Sequence, residues 1–410
     1  MKLKTIEEIA FINPDSIKKD CPYDEIEYID IQSVGSGYLI ESKLMPLSEA
    51  PSRAKRLIKD GDTILSTVRP NRRSFLYIKG PKSNVVVSTG FAVLRAKDGI
   101  DSRYLYYAVT DQKFTDYLTL SAKGAAYPAV DTEIIQRGKI PIYPIDIQQK
   151  ISSILSAYDD LIENNTRRIK ILEEMAQRIY REWFVDFRFP GHEKARFVDS
   201  EMGKIPEGWK VKQLSNIVET QYGYTESASE EKIGPKFLRG KDINKNSYIN
   251  WDDVPYCKIE TEDYEKYKLN RGDIVIIRMA DPGKVGIVEK DIEAIFASYL
   301  IRLKIKNGID PYYLFYFLLS EQYQSYIVGA STGTTRKSAS AGVITDTNIL
   351  LPYKSILKQF VEVVKPLRQL LNTLLERNVN LRQTRDLLLP KLISGEIDVS
   401  ELDIAIREQE

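Results

Sequence analysis

Histidine and cysteine are nearly missing from this chain of 410 residues, which holds one histidine, His192, and two cysteines, Cys21 and Cys257. The histidine sits in a Pro-Gly-His-Glu-Lys stretch that reads as a loop, so most hydrolase triads, His-based metal sites and histidine acid/base chemistry are excluded. Two cysteines so far apart make neither a disulfide framework nor a zinc site. No leader pattern opens the chain, so a reducing cytoplasm is the expected setting. Long hydrophobic runs are missing too: the stretch from Tyr312 to Leu319 falls well short of the ~20 residues a membrane helix needs. Charge of one sign is also absent, with 59 basic against 58 acidic residues and a net of +1. A nucleic-acid partner therefore requires the charge to be local.

What the chain does have is an internal repeat. Met1–Ala10 lies over Trp209–Val218, each a short entry segment followed by a helix start. Asp60-Gly-Asp-Thr-Ile-Leu65 matches Arg271-Gly-Asp-Ile-Val-Ile276, a Gly-Asp turn into a β-branched strand. Gly99-Ile-Asp-Ser-Arg-Tyr-Leu-Tyr-Tyr107 matches Gly308-Ile-Asp-Pro-Tyr-Tyr-Leu-Phe-Tyr316, with the Asp as N-cap and apolar residues at helical spacing. Pro141–Gln148 matches Pro352–Gln359, each just before a long helical pattern. Four unlike motifs in one order, all offset by about 210 residues, indicate a duplicated chain in which each copy is a domain plus a helix.

The two helical patterns run from about Gln148 to Trp183 and from about Lys358 to Leu389. The first carries a 3-4 heptad seam of Ile151, Ile154, Tyr158, Leu161, Leu172, Met175 and Ile179, interrupted by Asn165 and Arg168. The second carries Phe360, Val363, Leu367, Leu370, Leu374, Leu381 and Leu388, broken by Arg377 and Asn378, with Pro366 as a potential kink. Each stripe needs a partner, and the other helix of the same chain is the nearest one. A rod of ~36 residues at ~1.5 Å each is about 54 Å long. The expected fold is α+β: two similar domains and two long helices paired with each other. The expected boundaries are 1–147 for the first domain, 148–186 for the first helix, 187–206 for a Pro- and Gly-rich linker, 207–356 for the second domain, 357–394 for the second helix and 395–410 for a fraying tail.

Searches for catalytic motifs fail. Gly234 to Gly240-Lys241-Asp242 has one residue too many for a phosphate loop and ends in Asp rather than Ser or Thr. No Asn-Pro-Pro-aromatic or Asp-Pro-Pro-aromatic sequence is present. No catalytic residue, metal site or cofactor is therefore expected, and recognition is favoured over catalysis. Residues 53–97 carry eleven Lys or Arg against Asp60 and Asp62, a net of +9 within a chain of +1. Arg69, Arg72 and Arg73 in this window are expected to contact DNA phosphates. The matching window, 268–306, is milder but includes Arg278 and Lys284. Two small, polar, basic loops each precede the strand that leads into a long helix. They offer Lys123 and Tyr127 in the first copy and Thr334, Thr335, Arg336 and Lys337 in the second, with Arg336 suited to guanine.

Further residues carry a family resemblance: Leu161-Ile-Glu-Asn-Asn-Thr-Arg-Arg-Ile169, Leu172-Glu-Glu-Met-Ala176, Arg181-Glu-Trp-Phe-Val-Asp-Phe187, Ile205-Pro-Glu-Gly-Trp-Lys210 and Leu381-Arg-Gln-Thr-Arg-Asp-Leu-Leu-Leu-Pro-Lys-Leu-Ile-Ser-Gly-Glu396. With the duplication they cover essentially the whole chain, which resembles the specificity (S) subunit of a type I restriction-modification system. That resemblance implies a non-catalytic protein with two target recognition domains, each reading one half of a split sequence in double-stranded DNA. It also implies that the two helices pair as an antiparallel coiled coil, a spacer that binds two modification (methyltransferase) subunits and, through them, restriction subunits. Asn164, Asn165, Arg168, Arg377 and Asn378 are the helix positions expected to meet those partners. The first loop lacks the Gly-Thr-Thr-Arg pattern of Gly333 to Arg336, which weakens Lys123 and Tyr127 as candidates. The rival from another class is a coiled-coil scaffold whose domains bind proteins, for which the neutral total charge is the best support.

Overall fold

Each Gly-Asp motif launches a strand whose four residues are all buried, Thr63–Ser66 and Ile274–Ile277. The physical reason is the same in both copies. Gly61 and Gly272 take φ of +81° and +92°, open to glycine at no steric cost, and the following carboxylate turns back to close the bend. Asp62 Oδ2 accepts from the Lys59 N–H at 2.7 Å, and Asp273 Oδ2 from the Asn270 N–H at 2.9 Å.

The computed structural model describes residues 2–18, 21–243, 246–306, 308–333 and 337–404. The chain forms two compact units, residues 1–163 with 380–410 and residues 164–379. In the first, β1 (Ala10–Ile12), β2 (Thr63–Ser66), β3 (Phe75–Tyr77) and β4 (Phe91–Ala96) form an antiparallel sheet in the order β1-β4-β2-β3. In the second, β5 (Val218–Tyr222), β6 (Ile274–Ile277), β7 (Val285–Ile287) and β8 (Leu300–Ile305) take the equivalent order β5-β8-β6-β7. Both units also pair an entry strand with the strand before the long helix: Lys2–Thr5 with Lys139–Ile142, and Lys210–Gln213 with Asn348–Leu351. Two short helices follow each sheet, Ser102–Thr110 and Gln112–Ser121 in the first, Pro311–Leu319 and Glu321–Ala330 in the second. Asp101 and Asp310 cap the leading helix of each pair, as the repeat predicts. The copies differ in what is added to this shared framework. The first unit adds a second four-stranded sheet built on the buried run Val85–Ser88, whereas the second adds the parallel pair Lys236–Leu238 and Ala294–Phe296.

The long helices are α1 (Ile145–Tyr180) and α2 (Lys354–Ser394), and α2 continues through both Pro366 and Pro390 without a break. They pair antiparallel in both units. In the first, Ile151 and Leu155 join Leu389, Leu392 and Ile393 in the domain core. In the second, Ile169 and Leu172 pack with Leu371 and Leu374, while Ala176 and Tyr180 enter the domain core beside Phe360 and Val364.

The seam differs from the one the heptads predict. Ile151, Asn165 and Leu172 are buried as the heptads predict, but Leu161 and Met175 are 53% and 45% exposed, and the buried stripe of α1 is completed by Leu155, Ile169 and Ala176. On α2, Val363 and Leu370 are exposed while their neighbours Val364 and Leu371 are fully buried. Adjacent aliphatics occupy both positions, so spacing cannot choose between them, and each helix packs on a domain as well as on its partner.

Arg368 lies in this stripe, fully buried and with no signal in the apolar pattern. It forms an ion pair with Glu289, donates from Nη1 to Ser247 Oγ at 2.9 Å, and lies over the Phe315 ring. Burial opposes its charge, but the bonds to Glu289 prevail and its pKa is raised. Asn165 and Asn378 are also buried, with Asn165 Nδ2 donating to Asn378 Oδ1 at 2.9 Å.

Two segments expected to be loose are packed. In the stretch read as a linker, Phe189 is buried with Trp209 in the core of the second unit, and Phe197–Ser200 pairs with Gly203–Pro206 as a hairpin. In the tail, Val399 is buried in the first unit and Lys150 Nζ bonds the Ser400 carbonyl at 2.6 Å. Cys257 is buried, and burial pushes its thiol up to about 11, away from the reactive thiolate.

Candidate nucleic-acid interface

Five of the eleven cations in the +9 window are paired with carboxylates, all but Asp62 coming from elsewhere in the sequence. Arg53 pairs with Asp30, Lys59 with Asp15, Lys79 with Asp160 and Glu163, Lys82 with Glu27, and Arg95 with Asp62 and Asp15. The Arg95 bond holds the Asp15 carboxyl below its ordinary value. Arg56 is half-buried, and burial lowers its pKa. In the second window Arg302 is likewise buried and paired with Asp273. These arginines lock strands to Gly-Asp turns, a structural use of charge that composition cannot separate from phosphate binding.

Arg69, Arg72 and Arg73 pair with no carboxylate among the described residues. They occupy the turn between β2 and β3, Pro70–Arg72 being one turn of 3-10 helix with Arg69 and Arg73 on either side in left-handed backbone, φ 49° and 55°. Non-glycine residues pay roughly 1 kcal/mol or more for that conformation, so the surroundings must hold it. Arg69 donates from Nη2 to the Ala126 carbonyl at 2.9 Å and stacks over the Tyr127 ring, 4.5 Å from its centroid. Arg73 bonds the Thr110 carbonyl at 2.9 Å and also Gln112. Only Arg72 of the three is exposed, and among the described residues its side chain makes no bond.

The loop of Lys123 and Tyr127 folds as a hairpin closed by a Lys123–Ala129 bridge and joined to the turn through Val68–Ala129. Lys123 is exposed, and Tyr127 is 71% exposed on the face that Arg69 does not cover. A third segment, which the sequence reading missed, completes this end of the unit. Ser36 Oγ donates to the Arg73 carbonyl at 2.8 Å, and beside it Tyr38, Leu39 and Ile40 are all exposed. The sequence shows only the short run Tyr38-Leu39-Ile40, with nothing to say that it is exposed or that it lies beside the Arg69–Arg73 turn.

The second unit repeats the arrangement. Met279–Ala280 pairs with Lys337–Ser338, and Thr332 bridges Ser338. The turn is bounded by left-handed residues once more, Ala280 at φ 72° and Gly283 at 100°. Arg278 lies over the Tyr222 ring at 4.9 Å, and Lys284 and Lys337 are exposed. Thr334, Thr335 and Arg336 lie outside the described residues.

Of the helix positions expected to meet partners, Asn164, Arg168 and Arg377 are exposed. Asn165 and Asn378 are not presented to a partner, because the two amides are buried against each other. Among the described residues no group of three or more His, Cys, Asp or Glu is placed to hold a metal ion, and no helix is long and apolar enough to cross a membrane.

A family model described as the type I restriction modification DNA specificity domain matches residues 1–174 and 206–381, once for each copy. The chain belongs to this family. It is 28% identical over 417 residues to the type I restriction enzyme MjaIX specificity subunit of Methanocaldococcus jannaschii, covering 98% of this chain and 94% of that one. It is 26% identical over 442 residues to the HindI specificity subunit of Haemophilus influenzae, covering 92% of this chain and 95% of that one. Among solved structures, the type I restriction-modification S subunit from M. genitalium has the same fold, with a TM-score of 0.54 at 15% identity over 96% of each chain. In this type I specificity chain, the repeated turns hold left-handed Arg69, Arg73 and Ala280, and exposed Arg72, Lys123, Lys284 and Lys337 beside them pair with no carboxylate among the described residues.

Proposed function

We propose that the chain is the non-catalytic DNA-recognition subunit of a type I restriction-modification complex, with each unit reading one half of a bipartite duplex target. The single observation behind this reading is the duplicated interface. A left-handed-bounded turn, with a neighbouring segment paired against the strand that leads into it, recurs in both copies, in a chain that the family model matches twice. Arg72, Lys123, Lys284 and Lys337 contact phosphates, while Tyr127 and the exposed Tyr38–Ile40 segment pack against sugars and bases. Arg69, Arg73 and Arg278 hold the turns that carry these contacts. Thr334, Thr335 and Arg336 belong to the second interface on sequence grounds.

The helices α1 and α2 space the two readouts. Two modification subunits bind them, with exposed Asn164, Arg168 and Arg377 among the contact residues, and restriction subunits join through the modification subunits. The setting is the cytoplasm, and the chain itself carries no cofactor.

Sequencing the methylated bases of a host that expresses this chain with its modification subunits tests the reading. The expected result is one bipartite adenine-methylation motif that disappears when the chain is omitted. No motif, together with no mobility shift of duplex DNA with or without the modification subunits, would leave the chain a protein scaffold.

A further inference from the structure

The two turns share their closing bond and their left-handed boundaries but not their chemistry, and the second is one residue shorter than the first. Each leaves the central sheet and returns to it through the same bond: the Ser66 N–H donates to the Ser74 carbonyl at 2.8 Å, and the Ile277 N–H to the Lys284 carbonyl at 2.8 Å. Each opens on a left-handed residue, Arg69 or Ala280, and closes on another, Arg73 or Gly283. Each is anchored on the second short helix of its own unit. Arg73 bonds Gln112 at the start of one, and Gln324 Nε2 of the other donates to the Gly283 carbonyl at 2.8 Å. Adding a Cβ at Gly283 would bring it within 2.4 Å of Ile327, so this turn sits directly on its helix. Both apexes are therefore held rigidly, as a base-reading group must be.

Counting two residues back from the closing position gives Asn71 in the first copy and Asp281 in the second. Both are exposed, and among the described residues neither side chain makes a hydrogen bond or an ion pair. Asp281 is the informative one. Arg278 precedes it, Lys284 follows it, and Lys337 pairs with its neighbour Ala280, yet its carboxylate joins none of these cations. On a phosphate-facing surface an unneutralised carboxylate is repelled. Its compensating use is to accept a hydrogen bond from an exocyclic amino group in the major groove.

Resting on the DNA-recognition reading above, we propose that Asn71 and Asp281 are the equivalent base-reading residues of the two domains, Asn71 taking an adenine and Asp281 the N4 amino group of a cytosine. Asn matches the acceptor and donor of adenine N7 and N6, whereas Asp only accepts.

The test uses the whole complex with D281A, D281N and N71D, read as the methylated motif in the host and as binding to duplexes altered one base pair at a time. D281A relaxes a single position of one half-site, reducing discrimination there from about tenfold or more to under about threefold. Affinity for random duplex does not fall, because an acid has been removed. D281N moves that same position from cytosine towards adenine, and N71D moves a position in the other half-site from adenine towards cytosine. An unchanged motif in all three variants, or a uniform loss of binding on every sequence, overturns the proposal and leaves DNA recognition by the chain intact. A wild-type complex without any bipartite motif is the separate result that removes the underlying reading.

Discussion

Arg72 and Arg73 are adjacent, identical in type and indistinguishable in the sequence, yet the structure gives them different work. The Arg73 guanidinium bonds Thr110 and Gln112 inside its own unit, while that of Arg72 faces solvent. Arg72→Ala should therefore lower affinity on every duplex and reduce the salt slope of log K by about one, with no shift in denaturant midpoint. Unchanged affinity and slope in a titration across salt would remove Arg72 from the interface. Arg368 is the opposite case, a charge placed wholly inside. Its Glu289 partner is nearly as enclosed and would be left with the Tyr312 hydroxyl and no cation, so Arg368→Ala should cost about 3–5 kcal/mol in chemical denaturation. Replacing both with apolar residues of similar volume should recover much of that loss. Neither role was legible in the residue type, because a side chain's partner comes from a distant segment: Arg368 and Glu289 are 79 positions apart.

The two long helices were legible at the level of elements and misread at the level of faces. Freedom from glycine, apolar recurrence and paired polar interruptions located α1 and α2 to within a few residues. The choice between Val363 and Val364, or Leu370 and Leu371, was made by the domain packed against the other side of α2. Asn165 and Asn378 show the same limit. Their heptad positions signalled register, and the structure spends them on each other rather than on a partner surface. Asn165→Leu alone removes the donor to Asn378 Oδ1, while Asn378 Nδ2 keeps its bond to Thr166 Oγ1, and should cost about 1–3 kcal/mol. Asn165→Leu with Asn378→Leu should restore at least that much, at the expense of register. Thermal melts of the three proteins would show it, and a single variant as stable as the double would mean that the amide pair contributes nothing.

For the whole molecule, the near-zero charge is an average over pairs, not over patches. About half of the first copy's basic excess is matched by acids outside its window, and three of the cations that pair with no carboxylate among the described residues, Arg69, Arg72 and Arg73, stand together at the turn. Spacing is the property that belongs to the entire chain, since each helix contributes to both compact units. Inserting four residues into α1 after Glu163 and four into α2 after Val379 adds ~6 Å to each helix, about two base pairs of duplex. The unread gap in the methylated motif should lengthen by that amount while both half-sites keep their sequences. An unaltered gap would mean that the helices do not set the spacing.

By itself the sequence determined the duplication, the element order, the helix caps, the Gly-Asp turns and the family, because each depends on local chemistry repeated at one offset. Only the tertiary structure decided which cations find a carboxylate among the described residues, which face of each helix is buried, and that Asn71 and Asp281 are exposed in their turns. Those depend on long-range pairing and on left-handed backbone at residues other than glycine, which packing imposes and no local preference announces.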